Sequence, residues 1–65
     1  MKILVNGAWR DTQSPELTRA LEELGYGGSV VSTAVNGEFI AAALRARTRL
    51  AEGDRIEVLA PMQGG

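Results

Sequence analysis

Ser14-Pro15-Glu16-Leu17-Thr18-Arg19-Ala20-Leu21-Glu22-Glu23-Leu24-Gly25 is the stretch that decides how this chain folds. Leu17, Ala20, Leu21 and Leu24 recur at i, i+3, i+4 and i+7, which places them on one face of a helix. Glu16, Arg19, Glu22 and Glu23 take the other side. Ser14 can accept a hydrogen bond from the first turn, and Pro15 at the first helical position loses nothing. Glu16 then favours the positive end of the helix dipole. Gly25 closes the helix as a C-terminal cap, with Gly27 and Gly28 continuing the loop. One amphipathic helix cannot bury its own apolar face, so the flanking segments must supply the surface it covers.

On the N-terminal side, residues 2–6 form an apolar, β-branched run that reads as a buried strand. Asn6-Gly7 is a strong hairpin signal because both residues tolerate φ > 0. Residues 8–12 return as a second, less apolar strand nearer an edge, with Trp9 a packing or half-exposed residue rather than a ligand platform. On the C-terminal side, residues 30–36 read as a third strand with Val31, Thr33 and Val35 on one face. Asn36-Gly37 turns it into Glu38-Phe39-Ile40. The two Val-Asn-Gly triplets are read as two independent hairpins with the same turn chemistry, not as an internal repeat.

Residues 41–50 are rich in Ala and Arg and read as a short helix or turn followed by loop. Ala43, Leu44 and Leu50 are its candidates for the core. After a turn at Glu52-Gly53-Asp54, residues 55–60 alternate as a fifth strand. Ile56 and Val58 point inward, Arg55 and Glu57 outward, and Leu59 falls on the outward set. The order β-β-α-β-β-β implies an α+β fold with one helix across one mixed sheet. If the last strand lies parallel beside the first, the result is the ubiquitin-like β-grasp; the pattern alone leaves that adjacency open. The expected division is a folded domain over residues 1–60 and a flexible C-terminal tail over 61–65.

The inventory excludes much chemistry. In 65 residues there is no Cys, no His and one Lys, Lys2. No thiolate nucleophile, Cys-His pair, Ser-His triad or Cys/His zinc site can therefore be built. A chain this short buries only about 60% of the surface its unfolded form exposes, and it can hardly wrap a substrate pocket. The expectation is a protein handled by enzymes, not an enzyme, with no bound cofactor or metal. Seven basic and eight acidic residues leave a net charge of −1, which argues against nucleic acid as a partner. Arg45, Arg47 and Arg49 form the one basic cluster, read as solvated surface balanced by Glu38, Glu52 and Asp54. Ile3-Leu4-Val5 is too short for a signal-peptide core, and no apolar run approaches the ~20 residues of a membrane span. A cytoplasmic location is the default expectation.

The sequence ends Pro61-Met62-Gln63-Gly64-Gly65 directly after the last strand. Two residues without Cβ can thread a narrow channel and adopt any backbone angle inside it. Fully extended, residues 60–65 reach about 20 Å. A terminal carboxylate is ionised at neutral pH and a poor electrophile, so a partner must activate it before a nucleophile attacks. Fraying of an inert terminus would account for the same composition.

The whole chain resembles the thiamine-pathway sulfur carriers, the ThiS family of the ubiquitin-like β-grasp superfamily. The resemblance rests on Met1-Lys2-Ile3-Leu4-Val5-Asn6-Gly7, Val35-Asn36-Gly37-Glu38, Leu50-Ala51-Glu52-Gly53-Asp54-Arg55-Ile56-Glu57-Val58 and Gln63-Gly64-Gly65. It implies that an E1-like enzyme (ThiF-like) consumes ATP to adenylate the carboxylate of Gly65. A persulfide sulfur donor then displaces AMP, leaving a thiocarboxylate, and a thiazole synthase (ThiG-like) takes the sulfur. On that reading Gly65 carries the cargo, Gly64 keeps the approach slim, and Gln63, Met62 and Pro61 space it from the domain. Leu59 and Met62 are the candidate apolar contacts with a partner.

One departure stands out: where the family often shows Pro-Arg, this chain has Ala41-Ala42. That leaves the conformation of residues 41–50 open, along with any contact the family's Arg would make. The alternative within the class is the small subunit of molybdopterin synthase, or a carrier for another sulfur pathway. The alternative of another class is a non-catalytic β-grasp binding module that uses Arg45, Arg47 and Arg49.

Overall fold

A computed structural model describes residues 1–60. Its strands are β1 (Lys2–Val5), β2 (Ala8–Asp11), β3 (Ser32–Val35), β4 (Glu38–Ile40) and β5 (Arg55–Leu59). One α-helix, α1 (Leu17–Glu23), follows β2, and a 3₁₀ helix (Ala42–Arg47) follows β4. Among the described residues the strands form one sheet in the order β2-β1-β5-β3-β4. β1 and β5 pair in parallel, with Leu4 opposite Arg55 and Val5 opposite Ile56. β5 is antiparallel to β3, from Ser32 opposite Leu59 to Val35 opposite Ile56. The first and last strands are therefore neighbours at the centre of a mixed sheet, which is the ubiquitin-like β-grasp arrangement.

Both hairpins turn as Asn-Gly dictates. Asn6 and Gly7 have φ of +50° and +84°, and Asn36 and Gly37 have +51° and +85°. Two successive left-handed residues match the twist of the flanking strands, so each pair closes a two-residue turn. Asn reaches this region at lower cost than most side chains, and Gly at none.

The core lies between α1 and one face of the sheet. Ile3 and Val5 of β1, Ile56 and Val58 of β5, Leu17, Ala20 and Leu21 of α1, and Leu50 form one buried cluster. Thr33 of β3 is buried beside them. Leu24, Tyr26, Val31 and Val35 pack on its margin. The expected helix face and the alternation of β5 are both present, since burial along β5 falls on Ile56 and Val58 alone. Each large apolar side chain so buried contributes about 1.5–3 kcal/mol relative to exposure.

The helix ends as expected and begins elsewhere. At its end the Gly25 N–H donates to Glu22 O at 3.1 Å and the Tyr26 N–H to Leu21 O at 2.9 Å. This paired arrangement around a glycine at φ +98° is a Schellman cap. At its start, Ser14, Pro15 and Glu16 are not the first turn. Glu16 is extended, at φ −93° and ψ 131°, and bridges Arg49 in antiparallel fashion. The Leu17 N–H donates to Thr48 O at 3.0 Å, and the Leu50 N–H to Pro15 O at 2.6 Å. Ser14 Oγ accepts from the Glu16 N–H, in the approach to the helix rather than within it. Tertiary pairing with residues 48–50 supplies the partner that a capping side chain would have given, so the local signal is overridden.

The segment left open resolves into the 3₁₀ helix with Ala41 extended before it. Only one of its three core candidates is buried. Leu50 is in the core, whereas Ala43 and Leu44 are exposed. The position turned toward the sheet belongs to Arg45. Its Nε donates to Thr33 Oγ1 at 3.0 Å, and its guanidinium also donates to Val31 O. The third strand is correspondingly shorter than its apolar run, and Val30 stands 80% exposed.

Candidate functional site

β5 is held from both sides by the two turn asparagines. On the β1 side, Asn6 Nδ2 donates to Val58 O at 3.1 Å while the Val58 N–H donates to Asn6 Oδ1 at 2.9 Å. The carboxamide stands in for a peptide group, prolonging the β1–β5 pairing after the β1 backbone has turned away at Gly7. On the β3 side, the Arg55 N–H donates to Asn36 Oδ1 at 2.9 Å, and Asn36 Nδ2 donates to Asp54 Oδ1 at 3.1 Å. The Asn36 N–H also donates to Arg55 O at 2.7 Å. Each Val-Asn-Gly triplet thus makes its own hairpin and grips one end of the strand that leads to the C-terminal residues. Turn chemistry explains why Asn stands at these two positions, but only the fold reveals their second use.

The sheet face away from α1 carries an apolar surface. Strand pairing places Leu4 with Trp9, Ala34 with Phe39, and Ala34 with Glu57 on that face. Leu59 lies on it with Arg55 and Glu57, as the outward parity of β5 requires. Leu59 is 70% exposed, Phe39 67% and Trp9 61%. Leu4, Gly7, Ala34, Phe39, Glu57 and Leu59 help line a groove of about 380 Å³ there. The expected partner residue Leu59 is therefore at the rim of an apolar groove at the end of the central strand. Trp9, read as a packing or half-exposed residue, stands on this outer face. Leu4 and Phe39 were not singled out in the sequence, although their parity opposite to Ile3 and Ile40 was the available signal.

Met62, the other expected contact, lies outside the described residues, as do Pro61, Gln63, Gly64 and Gly65. The basic cluster does not stay together as a set of free cations. Arg45 is committed to Thr33 and Val31 through its guanidinium. This weakens the binding-module alternative, which loses one of its three guanidinium contacts to the fold. Among the described residues no cluster of three Asp, Glu, His or Cys side chains could hold a metal ion. No helix among them is long and apolar enough to cross a membrane.

Comparison with known proteins agrees with this architecture. The model of the ThiS family matches residues 3–65. The crystal structure of a thiamine biosynthesis protein (ThiS) from Geobacter metallireducens superposes with a TM-score of 0.83 at 29% identity, over the full length of both chains. A search of curated proteins finds no match. A family match across both hairpins, the helix and the central strand, together with one fold shared along the full length, leads to one conclusion: the chain belongs to the ThiS family.

Proposed function

We propose that this protein is a sulfur carrier of thiazole biosynthesis, with the carboxylate of Gly65 as the site of cargo. The carboxylate oxygen attacks the α-phosphorus of ATP in an E1-like adenylating enzyme, forming an acyl-adenylate and releasing pyrophosphate. The terminal sulfur of a persulfide donor attacks the acyl carbon and AMP leaves. Cleavage of the resulting S–S bond by a second thiol, which is oxidised to a disulfide, frees the thiocarboxylate. A thiazole synthase then takes the sulfur. The carrier binds no cofactor of its own; ATP is consumed by the partner, and the relay operates in the cytoplasm.

The observation that carries this reading is the family match running through Gln63-Gly64-Gly65, joined to a fold whose central strand, β5, ends at Leu59, a few residues earlier in the sequence. The apolar groove bordered by Leu59 and Phe39 supports it by offering the enzymes a recognition surface beside the exit of β5. A small domain that must be handled by several larger enzymes needs such a surface and no pocket chemistry of its own. Intact-mass spectrometry tests the proposal. Incubation with ATP, the E1-like enzyme and a persulfide donor is expected to yield a mass gain of one oxygen-to-sulfur exchange at the C-terminus. Absence of both adenylate and thiocarboxylate, under conditions where an established carrier reacts, would refute it.

A further inference from the structure

We infer that Asn6 is a positioning residue for the sulfur-loading reaction, anchoring the C-terminal part of β5 on its β1 side, just before the chain toward Gly65 begins. The inference rests on the carrier reading of Gly65. Its basis is the two-bond contact between the Asn6 carboxamide and both polar groups of the Val58 peptide. On the β1 side, Ile56 O is the last acceptor of a β1-side main-chain N–H, that of Asn6 itself, at 3.0 Å. Two residues later the β1 backbone is no longer alongside, and the Asn6 side chain takes over at Val58. Without it, the Val58 N–H and C=O, both turned toward β1, would lose these partners, and this end of β5 would be held only through the pairing of its neighbours with β3, Ser32 opposite Leu59 included.

The consequence concerns reach. An enzyme that takes up Gly65 while gripping the sheet face needs a defined distance between the two. Each residue released from β5 adds up to about 3.5 Å of chain and a backbone that must be ordered again on binding. Holding Val58 on the β1 side therefore resists fraying of the last residues of β5, beyond what the Ser32–Leu59 pairing provides, and keeps the span short and its ordering cost low. The effect belongs to productive binding, so it falls on KM for adenylation rather than on kcat.

The repeated triplet supplies a control for turn conformation and stability; Asn6, unlike Asn36, also lines the groove, so the exchange measurement is what separates anchoring of Val58 from loss of a groove contact. Asn36 has the same backbone conformation, the same following Gly, and two side-chain hydrogen bonds, but it grips the far end of β5. Asn6→Gly and Asn36→Gly each keep a residue suited to positive φ and remove two side-chain bonds. Amide hydrogen exchange on the free protein is measured first. Asn6→Gly is expected to raise exchange at Val58 by about tenfold over Asn36→Gly, because a two-bond anchor is lost at that site alone. ATP-dependent adenylation by the E1-like enzyme is measured second. KM is expected to rise about three- to tenfold in Asn6→Gly, with kcat kept, and to stay near wild type in Asn36→Gly. Asn6→Asp keeps the acceptor for the Val58 N–H and loses the donor, so it gives intermediate values and serves if Asn6→Gly fails to fold. Equal effects of the two glycine variants on exchange or on KM would show that Asn6 acts through general stability and would overturn the inference. Failure of the carrier reading is distinguishable, since wild-type protein itself would then not be adenylated.

Discussion

Arg45 Nε donates to Thr33 Oγ1 at 3.0 Å, and the same hydroxyl donates to Ile40 O at 3.0 Å. Thr33 is 1% exposed, so its oxygen is a buried relay joining the 3₁₀ helix to β3 and β4. Replacing it with the near-isosteric Val leaves the Ile40 carbonyl and the guanidinium each short of a partner. Thr33→Val is expected to cost about 1–3 kcal/mol, and Arg45→Ala a similar amount. Because both remove the same link, the double variant should cost less than the sum, which a double-mutant cycle by urea denaturation measures.

Gly25→Ala isolates the helix cap. Its φ of +98° is unsuited to an L side chain, yet an added Cβ would meet nothing within 4 Å. The cost is therefore conformational alone, about 1 kcal/mol, read as a fall in Tm of about 4–8 °C. An unchanged Tm would mean that the helix ends without the left-handed residue.

Ile56 lies fully buried in β5, between β1 and β3. Ile56→Ala is expected to destabilise by about 2–5 kcal/mol, because the sheet and α1 can collapse only partly into the space. The urea midpoint should fall with little change in the slope of the transition.

Leu59→Asp separates recognition from folding. At 70% exposure the side chain contributes little to the core, so stability should stay within about 0.5 kcal/mol of wild type. Under the proposed function, kcat/KM for adenylation should fall at least about fivefold, since a charge would sit at the rim of the apolar groove. Removal of Gly65 should abolish adenylation outright while leaving Tm unchanged. A truncated protein still adenylated at its new terminus would move the cargo site off Gly65.

Local chemistry was legible wherever neighbours along the chain carry the instruction. Asn6-Gly7, Asn36-Gly37 and Gly25 announce positive φ, and all five residues adopt it. The alternation of residues 55–59 placed Ile56 and Val58 inside and Leu59 outside, as found. The reading failed where a distant partner outbid a local preference. Ser14-Pro15-Glu16 carries every mark of a first helical turn, yet Glu16 pairs with Arg49 as extended chain. Leu44 had the hydrophobicity for the core, but the tighter 3₁₀ turn faces Arg45 toward Thr33 and leaves Leu44 51% exposed.

By itself, then, the sequence determined the element order, the turns, the C-terminal end of the helix and the two faces of β5, because each follows from residues a few positions apart. It also excluded cysteine and histidine chemistry by composition. Tertiary structure alone decided that β1 lies parallel to β5, that the outward side chains of four strands make one apolar groove, and that Asn6 reaches Val58. The β1–β5 pairing and the Asn6–Val58 contact join residues about 50 positions apart. The free energy that selects them comes from packing the whole core at once, and no local stretch contains it.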